Sequence, residues 1–198
     1  MAPSLSRRER YFDSAPLPPL PQGEGGAREA RSDSWEGEGL LPHKCMRISL
    51  ICVGRLGSAP EALLARDYCS RASASGRSLG LTPVDIVEVE GRGGKPGEAG
   101  AILARADGAR LVACDEHGRA FGSRDFAARL AALRDDGVRQ LAFAIGGADG
   151  LHASVLEAAS ETLAFGPQTW PHALARAMLA EQVYRAVTIL AGSPYHRD

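Results

Sequence analysis

The apolar positions of this chain fall into short, mostly unbroken runs separated by stretches with helical spacing. The runs are Arg47 to Val53, Val84 to Val89, Leu111 to Cys114 (ending at Asp115), Leu141 to Ile145 and Thr162 to Phe165. Runs of this length with little polar alternation predict strands buried on both faces. Between the first two, Ser58-Ala59-Pro60-Glu61 has the form of a capping box with proline near the helix start, and Leu63, Leu64, Tyr68 and Cys69 follow as an apolar stripe. Further helices are predicted around Glu98 to Ala106, from a Ser123 cap through Phe126, Leu130 and Leu133 to the stop at Asp136-Gly137, near Ala153 to Ala159, and from His172 to about Leu190. Strands alternating with helices predict an α/β fold with a mostly parallel, doubly wound sheet and helices on both faces.

The strand at Leu141 to Ile145 runs into Gly146-Gly147-Ala148-Asp149-Gly150, where glycines let the backbone turn sharply. Ligands of open parallel sheets sit at the carboxyl ends of strands. The loops after Cys114, Ile145 and Phe165 are therefore expected to converge on one edge of the sheet. The last is Gly166-Pro167-Gln168-Thr169-Trp170-Pro171. Such walls suit a flat, mostly apolar ligand held by backbone groups.

Composition changes the picture at the amino-terminal end. Residues 1–45 hold six of the twelve prolines, together with several glycines, and cannot bury enough apolar surface to offset their ordering entropy. They are expected to be a disordered extension. Met46 is expected to be the physiological start, with a genuine flexible arm as the alternative. From Met46 onward 17 Lys and Arg face 17 Asp and Glu, so naked RNA should be held poorly by counterion release alone. The four cysteines show no paired or metal-like spacing, which reads as reduced thiols in a cytoplasmic protein. No apolar run is long enough for a bilayer, so no membrane partner is expected.

The common catalytic signatures are missing: no G-x-S-x-G elbow, no H-E-x-x-H, no zinc-like cluster and no P-loop. No metal is expected. Gly91 to Gly97 is a flexible basic loop that fails the dinucleotide fingerprint at Pro96; it reads either as a solvated loop or as an RNA or ligand contact. On the long helix, Glu181 and Arg185 stand four apart in the favourable order, an ordinary surface pair or a functional one. The end of the chain, Pro194-Tyr195-His196-Arg197, gathers groups able to stack a base and grip a phosphate, although frayed termini are commoner.

Taken in order, Val53-Gly54, Ile145 to Gly150, Trp170-Pro171-His172, Ala180 to Ala186 and Pro194-Tyr195-His196-Arg197 resemble the RlmH family of ribosomal large-subunit pseudouridine N3-methyltransferases, small members of the SPOUT methyltransferases. The resemblance spans essentially everything after Met46. It implies a SPOUT α/β fold with a C-terminal trefoil knot, S-adenosylmethionine as methyl donor, a homodimer, and large-subunit rRNA within the ribosome as substrate. It further implies that Cys114, Gly146, Gly147 and the loop Gly166, Pro167, Gln168, Thr169, Trp170 and Pro171 cradle the cofactor. On the acceptor side, His172, His196 or Glu181 would take the proton, Arg185 and Arg197 would bear on the uracil oxygens or phosphate and Tyr195 would pack the base, the tail of one subunit completing the other's site. Cys114 stands where a larger aliphatic residue is common and Trp170 where leucine is usual, which bears on pocket shape. The competing readings are a non-catalytic ribosome- or RNA-binding α/β protein and a nucleotide-using enzyme, the latter lacking a phosphate-gripping motif.

Overall fold

Alternate residues of the first strand, β1 (Met46–Val53), enter two different apolar clusters: Met46, Ile48, Leu50 and Cys52 join one, Ile51 and Val53 the other. A strand divided in this way must be covered on both faces. The computed structural model describes residues 45–197; the expectations of a disordered extension and of a start at Met46 concern residues that lie almost wholly outside that range. The other strands are β2 (Leu81–Val89), β3 (Arg110–Ala120), β4 (Gln140–Ile145) and β5 (Glu161–Ala164). The helices are α1 (Pro60–Gly76), α2 (Lys95–Arg105), α3 (Ser123–Asp135), α4 (Ala153–Ala158) and α5 (His172–Leu190).

The sheet order is β2-β1-β4-β3-β5, and all four pairings are parallel. α1, α3 and α5 share one apolar cluster, while α2 and α4 share the other. The crossovers through α1 and α3 step one way along the sheet, and those through α2 and α4 step back. Using one face for each direction keeps a single crossover hand. α5 packs between α1 and α3. Phe143 of β4 lies under them, 2% exposed and 6.0 Å ring to ring from Phe126.

Several local expectations are corrected. The capping box at Ser58 does not form: Ala59 occupies the N-cap without a side-chain bond. The stripe on α1 is also turned, because Ala62, Ala65, Cys69 and Ala72 are buried whereas Leu63 and Leu64 are 56% and 47% exposed. Small residues let α1 approach the sheet and α5 closely, which leaves the two leucines on the outer side. β2 starts three residues early and includes Pro83, tolerable on an edge strand that has one pairing partner. Ser123 is not the cap of α3; Gly122 is, and the Ser123 hydroxyl donates instead to Gln182 Oε1 at 3.3 Å. The second half of the basic loop forms the first turn of α2, with Lys95 opening the helix and a side chain at Gly91 or Gly97 colliding with backbone. That loop is wound tightly rather than loose.

Candidate active site

Parallel register brings the strand ends together. Cys52 pairs with Ile145, Ile145 with Cys114, and Cys114 with Leu163. At about 4.8 Å per strand, Ile145 and Leu163 stand about 10 Å apart across the row. The loops beyond them leave from one edge. Gly146 can only be glycine here, since a Cβ would lie 2.5 Å from the carbonyl carbon of Gly150. The Gly150 amide donates back to the Gly147 carbonyl at 3.1 Å, and Gly150 turns with φ 75°. A Cβ on Gly147 would come within 3.3 Å of Val53 and 3.5 Å of the Glu98 carboxylate. The loop is thus coiled on itself between the end of β1 and the first turn of α2.

The strand expected to stop at Asp115 does not stop there. β3 breaks register with β5 after Cys114, bulges through residues 115–118 and resumes at Arg119, so that both Cys114 and Arg119 face Leu163. Such bulges re-aim side chains at functional edges. The Thr169 hydroxyl donates to the Glu116 carboxylate, tying the bulge to the loop after β5. Gly166 turns that loop with φ 106°, and Pro171 ends it as the N-cap of α5. Burial pushes the Cys114 thiol well above its ordinary pKa, which keeps it protonated and unreactive.

Between these loops and the helices lies an open cavity of about 710 Å³. Its walls are largely apolar: Phe121, Leu163, Phe165, Trp170, Leu174 and Met178. Gly166 borders it, and Glu181 supplies its carboxylate. A flat ring system with a polar end fits such a space.

The tail folds back on α5 beside Glu181. The Tyr195 hydroxyl donates to Glu181 Oε1 at 3.1 Å, and Arg185 reaches the same oxygen through Nε at 2.9 Å and Nη2 at 2.5 Å. Glu181 Oε2 accepts from Gln182 Nε2 at 2.7 Å. Arg185 Nη1 lies 3.3 Å from His196 Nδ1, and because arginine only donates, that nitrogen is the acceptor. Burial, followed by hydrogen bonds with Tyr68 and Glu181, pushes the Tyr195 phenol well above its ordinary pKa and keeps it neutral. The bond to Glu181 raises the Arg185 pKa further.

The expected site residues therefore separate into groups. Glu181, Arg185, Tyr195 and His196 come together. His172 opens α5, and the nine residues to Glu181 put about 13.5 Å of helix between them. Arg197 is exposed. Gly166 and Trp170 border the cavity; Cys114, Gly146, Gly147, Pro167, Gln168, Thr169 and Pro171 lie along the same edge outside its lining. Sequence reasoning missed Phe121 and Gly122, because β3 was expected to end five residues sooner.

It also gave Arg176 no role. That side chain is 1% exposed, donates to the carbonyls of Val53 and Gly54, and pairs with Glu88 Oε1 at 3.3 Å. It bolts α5 to the carboxyl ends of β1 and β2. The available signal was a lone guanidinium inside the apolar stretch Ala173 to Ala180. Among the described residues, no group of three or more His, Cys, Asp or Glu side chains is placed to hold a metal, and no helix is long and apolar enough to cross a membrane.

The family described as "Predicted SPOUT methyltransferase" matches residues 46–196. The chain belongs to this methyltransferase family. A relative from Caulobacter sp. (strain K31), named ribosomal RNA large subunit methyltransferase H, is 66% identical over 154 residues, which cover 77% of this chain and all of the relative. Proteins of the same name from Phenylobacterium zucineum and Hyphomonas neptunium are 60% and 52% identical, again over 77% of this chain and 100% and 99% of their own lengths. The cavity at the carboxyl edge thus belongs to a methyltransferase.

Proposed function

We propose that this chain methylates N3 of a pseudouridine in large-subunit rRNA, using S-adenosylmethionine and working on the ribosome in the cytoplasm. The observation that carries the reading is the convergence of Arg185, Tyr195 and His196 around Glu181, whose carboxylate lines the cavity, together with relatives whose name specifies the rRNA of the large subunit. The bound cofactor would supply a methyl group activated by a sulfonium. Gly166 and Trp170 would border its flat portion, with Phe121 and Phe165 as further apolar walls, while the coiled loop at Gly146 and Gly147 keeps side chains away from the rim. The apolar cavity and the glycine-lined edge fit that group.

The acceptor nitrogen must lose its proton as the methyl arrives. Glu181 Oε2 has one donor where Oε1 has three contacts, so its open lone pairs make it the proton acceptor. Arg185 and Arg197 favour the anion of the base, and Tyr195 packs against its ring. His196 grips the substrate from the tail. His172, far along the helix, serves the cofactor side. A homodimer is part of this reading: Leu64, Trp170 and Leu174 are 47%, 40% and 40% exposed and border the cavity, an apolar face that a second copy would cover. So is the C-terminal knot, which the bond joining the 115–118 bulge to the 166–171 loop would hold closed.

Calorimetry with S-adenosylmethionine, followed by mass-spectrometric mapping of rRNA from treated ribosomes, tests the proposal. Glu181→Gln should lower methyl transfer about 100-fold or more while cofactor affinity stays within a few-fold. Binding of rRNA without uptake of the donor would favour the non-catalytic alternative instead.

A further inference from the structure

Arg71 has no part in the site described above, yet its guanidinium sits at the junction of three tyrosines. α1 places its Cζ 4.4 Å from the centroid of the Tyr184 ring, and Nη2 donates to the Tyr184 hydroxyl at 3.0 Å. The same Cζ is 5.7 Å from the Tyr68 ring and 5.9 Å from the Tyr195 ring. Tyr195 meets Tyr184 edge-on at 4.7 Å, and Arg185 lies 5.0 Å from its centroid. Asp67, one turn back on α1, holds Arg71 at 3.4 Å. Tyr195 thus joins the tail to the body through Tyr184 and two guanidinium groups. His196 follows directly.

We propose that Arg71, with Tyr68, is a positioning residue for methyl transfer: it brackets the tail against its own chain so that Tyr195 and His196 stand beside Glu181. It acts through Tyr184 and Tyr195 rather than by touching the reacting atoms. A planar guanidinium can lay its face on rings while donating from its edge to the Tyr184 hydroxyl and Asp67; an ammonium cannot do both. The bracket does not require a second subunit. Its catalytic consequence rests on the reading of Glu181, Tyr195 and His196 as the acceptor-side groups.

The test compares Arg71→Ala, Arg71→Lys, Tyr195→Ala and the Arg71→Ala/Tyr195→Ala double variant of the full chain. Arg71→Ala should lower kcat on ribosomes roughly ten-fold, with the Kd for S-adenosylmethionine within about two-fold, and Arg71→Lys should recover only part of the loss. In the Tyr195→Ala background the arginine change should add less than about two-fold, because the two act as one unit. Amide hydrogen exchange over residues 193–197 should quicken in Arg71→Ala, and less in Arg71→Lys. Full additivity, or loss of cofactor binding in step with turnover, would overturn the proposal. If the wild-type chain transfers no methyl group to ribosomes, the functional reading fails, and unchanged tail exchange in Arg71→Ala then refutes the bracket independently.

Discussion

Arg176 Nη2 donates to the Gly54 carbonyl at 2.9 Å, joining residues 122 positions apart through a side chain that is almost wholly buried. Its partner Glu88 also accepts from the Leu56 amide at 3.1 Å, so one ion pair closes the loop after β1 against α5. Removing one member of such a pair leaves a buried charge or bare carbonyls. Arg176→Met is expected to cost about 3–5 kcal/mol, read from urea unfolding. Glu88→Gln, which keeps the shape and an acceptor oxygen, should cost markedly less.

Two glycines should respond in opposite directions to the same change. At Gly146 an added Cβ meets the Gly150 carbonyl, so Gly146→Ala must open the coiled loop and should weaken S-adenosylmethionine binding at least ten-fold by calorimetry. Gly100 lies within α2 and is exposed, with nothing near its would-be Cβ. Gly100→Ala should raise stability by about 0.5–1 kcal/mol without touching activity.

Burial raises the Cys52 and Cys69 thiols from 9.0 to about 12 each. A raised thiol pKa means that the unfolded chain releases protons first. The associated stability is complete below about pH 9 and is lost as pH climbs towards 12. Melting temperature should therefore fall steadily across that alkaline window. Under native conditions at about pH 8, iodoacetamide should label exposed Cys45 and spare Cys52 and Cys69, which a mass shift after digestion would read.

If the face carrying Leu64 and Leu174 is covered by a second copy, one charge should break it. Leu174→Asp is expected to shift the protein from dimer to monomer in analytical ultracentrifugation and to lower methyl transfer, because the cavity loses a wall. A monomeric wild-type protein would refute the dimer.

The split among the expected site residues yields a kinetic contrast. His172→Ala should act mainly on the KM for the cofactor, whereas His196→Ala and Arg197→Ala should cut turnover on ribosomes and leave cofactor affinity within a few-fold. Matching effects of all three on the same parameter would remove the distinction.

All five strands, the long final helix and the glycine loop after Ile145 were legible in the sequence, because mostly apolar runs and glycine clusters are local signals of burial and turning. Family membership was legible too, since several spaced motifs occur in one order. Tertiary structure alone decided which face of each element meets which partner. Periodicity marked Leu63 and Leu64 as core, yet the close approach of α1 through alanines left them outside. Glu181 and Arg185 read in the sequence foremost as an ordinary surface pair; in the fold the tail returns and lays Tyr195 on the same oxygen. Arg176 stood out locally only as a lone guanidinium in an apolar stretch, and its partners, carbonyls and a carboxylate from the far end of the chain, carried no mark in the sequence. Local pattern records how apolar a segment is; the pairing of distant polar groups is chosen only when packing takes them out of water together.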